Sequence, residues 1–208
     1  MVHTFYDGTI VVAEQILVSL SHFLQQAEKR PNATDLLNAR LSEDMYPVTD
    51  QVRIATQFSE NLVARLTGRE PVTTEGKPTT YAECYERIEK VQKALKEADR
   101  DVVNQHADKL KPTQLGPDRV AELSGAIYAH TILLPNIYFH LVTTYGIFRK
   151  EGVPLVSRHT DDGLKPIGTV SLMRGIPPDS GYLAPDIGFA VLPEEGRKGY
   201  ATEAAKGI

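Results

Sequence analysis

The sequence predicts a mainly α protein: a four-helix bundle followed by a short α/β fragment of two to three strands and the start of a helix. Through most of residues 1–155, apolar side chains recur every three or four positions, as on the buried face of an amphipathic helix. After Gly152, short segments rich in Val and Ile, separated by Pro and Gly, replace that pattern. We therefore expect two domains, 1–155 and 156–208.

The first two helices are bounded by residues that begin or end helices. An apolar stripe covers residues 10–27 and is followed by Pro31. The second stripe opens after Pro47, because proline is tolerated in a first helical turn, and closes at Gly68, because glycine adopts the left-handed conformation that ends a helix. These signals predict the first two long helices.

Two further helices follow, separated by a connection. Thr80 and Glu83 have the spacing of a capping box, which predicts a third helix that runs to about residue 99. Residues 100–119 have weak periodicity and are expected to be a long, partly irregular connection with a short extended piece. Helical periodicity returns over residues 124–150, where Pro135 removes one backbone donor and is expected to bend the axis.

Composition excludes several classes of function. The formal net charge is −4, and neither predicted domain has the basic excess that nucleic-acid binding requires. The single cysteine, Cys84, rules out an internal disulfide and indicates a reducing compartment. No apolar run approaches the ~18 residues of a membrane span, and no signal peptide opens the chain. We expect a cytoplasmic protein without nucleic-acid or membrane partners.

Three segments of the first domain carry a family resemblance: LLNARLSEDMYPVTDQVRIATQFSENLVARLTG, TTYAECYERIEK and LPNIYFHLVTTYGIFRKEGVPL. Their most specific motifs are DMYP followed by Gln51, and PN followed by YFH. They resemble an uncharacterised family of the DinB/YfiT-like helical-bundle clan. The resemblance implies a four-helix bundle and no assigned reaction.

Better known relatives in that clan hold a divalent metal with three histidines from facing helices. Such a site needs at least three converging ligands. The predicted second helix contains no histidine, and His130 and His140 are about 80° apart around an ideal helix. This departure from the clan's pattern leads us to expect no metal.

A small-molecule site in the bundle is predicted at Asp44, Gln51, Asn136, Tyr138 and His140, because bundle sites are built on facing helices. In the catalytic hypothesis His140 is a general base, since an unperturbed imidazole pKa near 6.5 suits proton transfer, and Tyr138 or Asp44 orients it. The structural alternative is that Asp44 caps the second helix, Asn136 satisfies carbonyls freed at the proline, and Tyr138 and His140 make one hydrogen bond each.

The end of the chain carries a second resemblance. KPIGTVSLMRG and DIGFAVLPEEGRKGYATEAAKGI are similar to the middle of a Gcn5-related N-acetyltransferase (GNAT) domain. The resemblance implies acetyl-CoA as cofactor, with its pyrophosphate at a loop and helix N-terminus. It assigns the coenzyme to Phe189, Ala190, Val191, Arg197, Lys198, Gly199, Tyr200 and Ala201. The loop departs from the family pattern at its first position, where Gly196 stands in place of Gln or Arg.

The GNAT resemblance covers only about fifty residues, and we expect a truncated domain joined to the bundle near residue 155. Three functions stay open. The first is a helical bundle of unassigned, small-molecule-directed activity that carries a truncated acetyl-CoA motif. The second is an acyl-CoA-dependent N-acyltransferase, which is the most nameable enzyme class for this chain. The third is a dimerising interaction module, in which the partner is a second copy.

Overall fold

The computed structural model describes residues 4–116, 118–155, 168–174 and 185–191. The chain separates into two compact units, Met1–Leu155 and Val156–Ile208. The first unit is mainly helical, as the sequence predicts, and the second contains one pair of strands among its described residues.

The helical unit contains seven α-helices among its described residues. They are α1 (Val12–Glu28), α2 (Ala33–Leu36), α3 (Val48–Thr67), α4 (Tyr81–Lys96), α5 (Arg100–His106), α6 (Gly125–Tyr128) and α7 (Leu134–Lys150). Two π-helical turns, Asp7–Val11 and Ala129–Leu133, lead into α1 and α7. Within the described ranges, no helix combines the length and the apolar character that crossing a membrane requires.

The four long helices α1, α3, α4 and α7 form the bundle. α3 packs most extensively against α7 and then against α4, and α1 packs against the same two helices. α1 and α3 therefore lie diagonally across a shared core. The core is filled by fully buried apolar side chains: Leu17, Leu20, Leu24, Leu62, Leu66, Ile88, Leu95, Ile137 and Phe148.

The residues that were predicted to begin and end α3 and to begin α4 do so in the structure. α3 begins after Pro47 and ends at Gly68, which has a φ of 77° and donates its N–H to the carbonyl of Ala64. α4 begins with a complete capping box, in which the Thr80 side chain accepts from the Glu83 N–H and the Glu83 carboxylate accepts from the Thr80 N–H. The predictions made from these residues are confirmed.

The prediction of a partly irregular connection over residues 100–119 is wrong in part. α5 occupies its start, capped by the Asp99 carboxylate, which accepts two first-turn N–H groups. An antiparallel hairpin follows, formed by β1 (Leu110–Gly116) and β2 (Arg119–Ser124). Pro112 lies within β1, and a two-stranded ribbon tolerates it because each strand has an unpaired edge.

The fourth predicted helix is a continuous helical stretch with a local change of geometry. Ser124 caps its start by accepting from the Ile127 N–H. The π-helical turn follows α6, and Pro135 is the second residue of α7, so the N–H that it lacks falls directly after the turn, where the helical hydrogen-bond pattern changes. The helix then ends at Lys150, as predicted.

In the second unit, β3 (Gly168–Arg174) pairs with β4 (Pro185–Val191) in antiparallel register. Phe189 lies opposite Val170, and Ala190 opposite Thr169. Phe189, Ala190 and Val191 are thus strand residues, whereas the predicted coenzyme residues Arg197, Lys198, Gly199, Tyr200 and Ala201 lie outside the described residues. The acetyltransferase likeness of this unit stays a prediction.

Candidate functional site

The candidate site centres on His140, which lies on α7 and is 7% exposed. Its Nδ1 is 2.6 Å from Oε1 of Gln51, in the first turn of α3. These two residues are separated by 89 positions in the chain and meet because α3 and α7 are the most extensively packed helix pair. Gln51 and His140, which the sequence analysis selected as separate candidates, are therefore in direct contact in the structure.

The orientation of the Gln51 amide fixes the tautomer of His140. Nε2 of Gln51 donates to the Tyr46 carbonyl at 2.9 Å, so Oε1 is the atom that faces the imidazole. An oxygen accepts only, and Nδ1 of His140 must therefore carry the proton. In the neutral imidazole, the lone pair then belongs to Nε2.

This Nε2 atom has no hydrogen-bond partner in the part of the chain that the structure describes. No buried side-chain nitrogen or oxygen there lacks a partner. Nε2 of His140 therefore reaches the protein surface, although the side chain as a whole is nearly buried. It offers a single hydrogen-bond acceptor to a molecule from outside.

Aromatic rings and charge define the environment of this imidazole. Phe58 of α3 stacks on it at a centroid distance of 6.3 Å, and Phe139 meets it edge-on at 5.2 Å. Burial, together with the positive charge of Arg53, lowers the pKa of His140 to about 4. The imidazole is consequently neutral at pH 7, which makes it a hydrogen-bond acceptor and a weak base.

A charged cluster lies beside Gln51 on the same helix. Asp50 is 4% exposed, and its two carboxylate oxygens accept from Arg53 Nε at 2.8 Å and from Lys77 Nζ at 3.2 Å. Burial alone raises the pKa of Asp50, but the hydrogen bonds from Arg53 and Lys77 outweigh it, and the net pKa is below the usual value. With one anion and two cations, the cluster has a net positive charge.

The loop that carries Lys77 is fastened to the bundle at two other points. Arg69 forms a bidentate ion pair with the buried Glu60 of α3, with Nη2 at 2.9 Å from one carboxylate oxygen. Arg87 of α4 donates to three successive carbonyls, those of residues 74–76. Lys77 is therefore presented to Asp50 by an anchored loop.

The other residues nominated by the sequence lie elsewhere. Asp44 is exposed in a turn before α3, and no side chain caps that helix, whose N-cap is Pro47. Asn136 donates to the Ile132 carbonyl at 2.7 Å, a local role beside the proline. Neither Asp44 nor Tyr138 orients the imidazole of His140, because Gln51 already occupies Nδ1.

Tyr138 points into a different feature, a shallow groove of about 310 Å³ between α1 and α7. Tyr138 and His140 are two positions apart in the sequence, so the two side chains leave α7 about 160° apart. The other residues that line this groove are Val11, Val12, Gln15, Ile16, Ser19 and Leu141. The groove is apart from the His140 site.

Sequence reasoning missed Asp50, Arg53, Lys77 and Phe58 as parts of the site. The spacing of three between Asp50 and Arg53 is the one local signal that indicates their ion pair. The partnership of Asp50 with Lys77 joins residues 27 positions apart and depends on the path of a loop. Such a contact has no signature in a single sequence.

The donor set does not fit the three-histidine metal site of the better known clan members. Across the described ranges, no three His, Cys, Asp or Glu side chains converge in a way that could hold a metal ion. His140 has already committed Nδ1 to Gln51, and His130 packs against Phe5 at a centroid distance of 5.6 Å. These side chains therefore do not form that kind of metal site.

Comparisons with known proteins agree with the helical architecture. Residues 5–159 match the model of a family described as Domain of unknown function (DUF1993). A solved structure, titled as a DinB family member protein from Shewanella denitrificans, is 31% identical. Its alignment covers 73% of this chain and 88% of that chain, with a TM-score of 0.65. Among curated proteins no match was found. The chain therefore belongs to the DUF1993 family, and its helical unit is DinB-like.

Proposed function

We propose that the helical unit binds a small polar molecule at His140, where α3 and α7 meet. One observation carries the proposal. Gln51 holds His140 as the Nδ1–H tautomer, which leaves the Nε2 lone pair at the surface without a partner among the described residues. A hydroxyl or amine of the ligand donates its hydrogen to this atom.

Hydrogen-bond acceptance is favoured over proton abstraction for this imidazole. An efficient general base has a pKa near the operating pH, whereas that of His140 is lowered to about 4. A proton taken up by His140 at pH 7 would therefore be held weakly. The proposal makes His140 a residue that orients a ligand and leaves the enzyme class of the protein open.

The proposal is tested by long-range ¹H–¹⁵N NMR on protein labelled at histidine, which separates the two ring nitrogens. The free protein should show His140 as the Nδ1–H tautomer, and hydroxylated small molecules should shift its Nε2 resonance. Gln51→Leu should produce a mixture of tautomers, because the acceptor for Nδ1–H is lost. Gln57→Leu removes an amide from the same helix, at a position bonded to Asn61, and is the matched control.

An Nε2–H tautomer in the free protein would contradict the proposed hydrogen-bond network. A Nε2 resonance that no hydroxylated probe shifts would contradict ligand binding at this atom. Both results are readable without knowledge of any reaction.

A second proposal concerns residues 156–208, which we propose bind acetyl-CoA. It is supported by the resemblance, which assigns the pantetheine arm to Phe189, Ala190 and Val191, and by β4, in which these three residues are extended and paired with β3. Acetyl-CoA at 100 times its dissociation constant would stabilise its binding unit by about 2.7 kcal/mol. Thermal midpoints should rise with acetyl-CoA, and Gly199→Glu, which adds a negative charge to the predicted phosphate loop, should abolish the rise. An unchanged midpoint in the wild type would reject this proposal.

A further inference from the structure

We propose that the ligand held at His140 is a small aromatic alcohol, whose hydroxyl donates to Nε2 and whose ring packs against Phe139. This inference rests on the proposed function of His140 and adds the chemical class of the ligand. It is carried by the two phenyl rings that contact the imidazole and by the hydrogen bonds that the Gln51–His140 pair has already made.

The Gln51–His140 pair offers a ligand one polar atom without a partner. Nδ1 of His140 donates to Oε1 of Gln51, and Nε2 of Gln51 donates to the Tyr46 carbonyl, so both polar atoms of this amide are bonded. Nε2 of His140 is the remaining polar atom of the pair, and it accepts one hydrogen bond. A ligand with a single donor therefore satisfies it.

The surface directly beside this acceptor is aromatic. Phe139 is 54% exposed, and its ring lies at 83° to the imidazole with 5.2 Å between the two centroids. The half-buried ring of Phe58 lies nearly parallel to the imidazole at 6.3 Å. An apolar ligand body would remove part of the Phe139 surface from water, which a purely polar ligand would not do.

One small molecule can reach both the acceptor and Phe139. An oxygen bonded to Nε2 at about 2.8 Å is at most about 9 Å from the centroid of the Phe139 ring. A six-membered ring one carbon away from that oxygen spans about 4 Å of this distance, which brings the two rings within the 4.5–7 Å of aromatic pairs. Such pairs stabilise contact beyond the area that they bury, which favours an aromatic over a saturated body.

The experiment titrates the full chain, labelled with ¹⁵N at histidine, with benzyl alcohol, cyclohexylmethanol and ethanol. All three are primary alcohols, and they differ in the group that the CH₂OH carries: an aromatic ring, a saturated ring or a methyl. The Nε2 resonance of His140 reports occupancy and gives each dissociation constant.

We expect benzyl alcohol to bind at least about tenfold more tightly than ethanol, because burial of two methylene equivalents already gives about this factor. Benzyl alcohol should also bind at least about twofold more tightly than cyclohexylmethanol, because only the aromatic ring gains the pair interaction with Phe139.

Variants assign these preferences to Phe139. Phe139→Ala should bring the affinity for benzyl alcohol to within about twofold of that for ethanol, because the burial that separates the two alcohols is lost. Phe139→Leu keeps an apolar side chain without a ring and should abolish the preference over cyclohexylmethanol. Tyr138→Ala removes an exposed aromatic side chain that leaves α7 about 160° from His140, and this control should keep both preferences.

Two failures are distinguishable. The aromatic-alcohol inference would be overturned, and the proposed function would stand, if benzyl alcohol bound no more tightly than ethanol or cyclohexylmethanol, or if Phe139→Ala left its preferences intact. If no alcohol shifts the Nε2 resonance, the proposed function fails, and the inference fails with it.

Discussion

The lowered pKa of His140 predicts that the helical unit loses stability as the pH falls. A buried imidazole that resists protonation in the folded state is protonated freely in the unfolded state, so the unfolded chain binds more protons. The contribution of His140 is complete above about pH 6.5, the usual pKa of a free imidazole, and is lost progressively as the pH falls to about 4. Acidification should therefore weaken folding in this window.

The magnitude follows from the two pKa values. The difference between 6.5 and about 4, at about 1.4 kcal/mol for each pKa unit, corresponds to about 3 kcal/mol over the whole window. Between pH 7 and pH 5 the expected loss is about 2 kcal/mol. Domains are stable by only about 5–15 kcal/mol, so a change of this size is readily measured. The pKa of Asp50 is lowered, which keeps that ion-pair cluster charged at pH 5.

The assay is urea unfolding followed by far-UV circular dichroism at pH 7 and pH 5, on wild type and His140→Gln. Glutamine retains a donor for Gln51 but has no titrating ring, so the variant should lose the part of the pH dependence that His140 imposes. His22→Gln removes an imidazole from an exposed position on α1 and serves as the control. This variant should keep the pH dependence that His140 imposes. A His140→Gln variant with the full pH dependence of the wild type would refute the assignment.

Two further predictions concern helix ends. Gly68→Ala should lower the free energy of unfolding by about 2 kcal/mol. The residue has a φ of 77°, and a Cβ there would lie 2.6 Å from Nε2 of His106. Gly76→Ala, at a φ of 74° with open space around it, should cost only about 1 kcal/mol, and equal losses by urea unfolding would contradict the crowding argument. Thr80→Ala should cost about 1 kcal/mol and speed hydrogen exchange of the Glu83 amide, since the capping acceptor is removed; unchanged exchange would count against the capping role.

The sequence predicted helix boundaries correctly wherever a few neighbouring residues determine them. Proline before α3, glycine after it and the capping box of α4 affect only the backbone within a few residues, so they could be interpreted without knowledge of the tertiary structure. The apolar stripes predicted the four long helices for the same reason. Their period is a property of each helix and not of its neighbours.

The hairpin could not be predicted in this way. β1 and β2 are short, and the guanidinium of Arg65 on α3 donates to carbonyls of both strands, those of Lys111 and Leu123. A two-stranded ribbon is marginal by itself and requires packing against another element. The prediction of an irregular connection failed because the stabilising contact lies 46 to 58 positions away in the chain.

For the site, the sequence by itself determined the residue types: His140 on the last predicted helix, Gln51 near the start of the second, and an acid three positions before an arginine. Only the tertiary structure decided that Gln51 and His140 share a hydrogen bond, which nitrogen carries the proton, and that Lys77 joins Asp50. The physical reason is that tautomer, pKa and net local charge depend on atoms within a few ångströms. In this protein those atoms come from α3, α7 and a loop that only the packing of the bundle brings together.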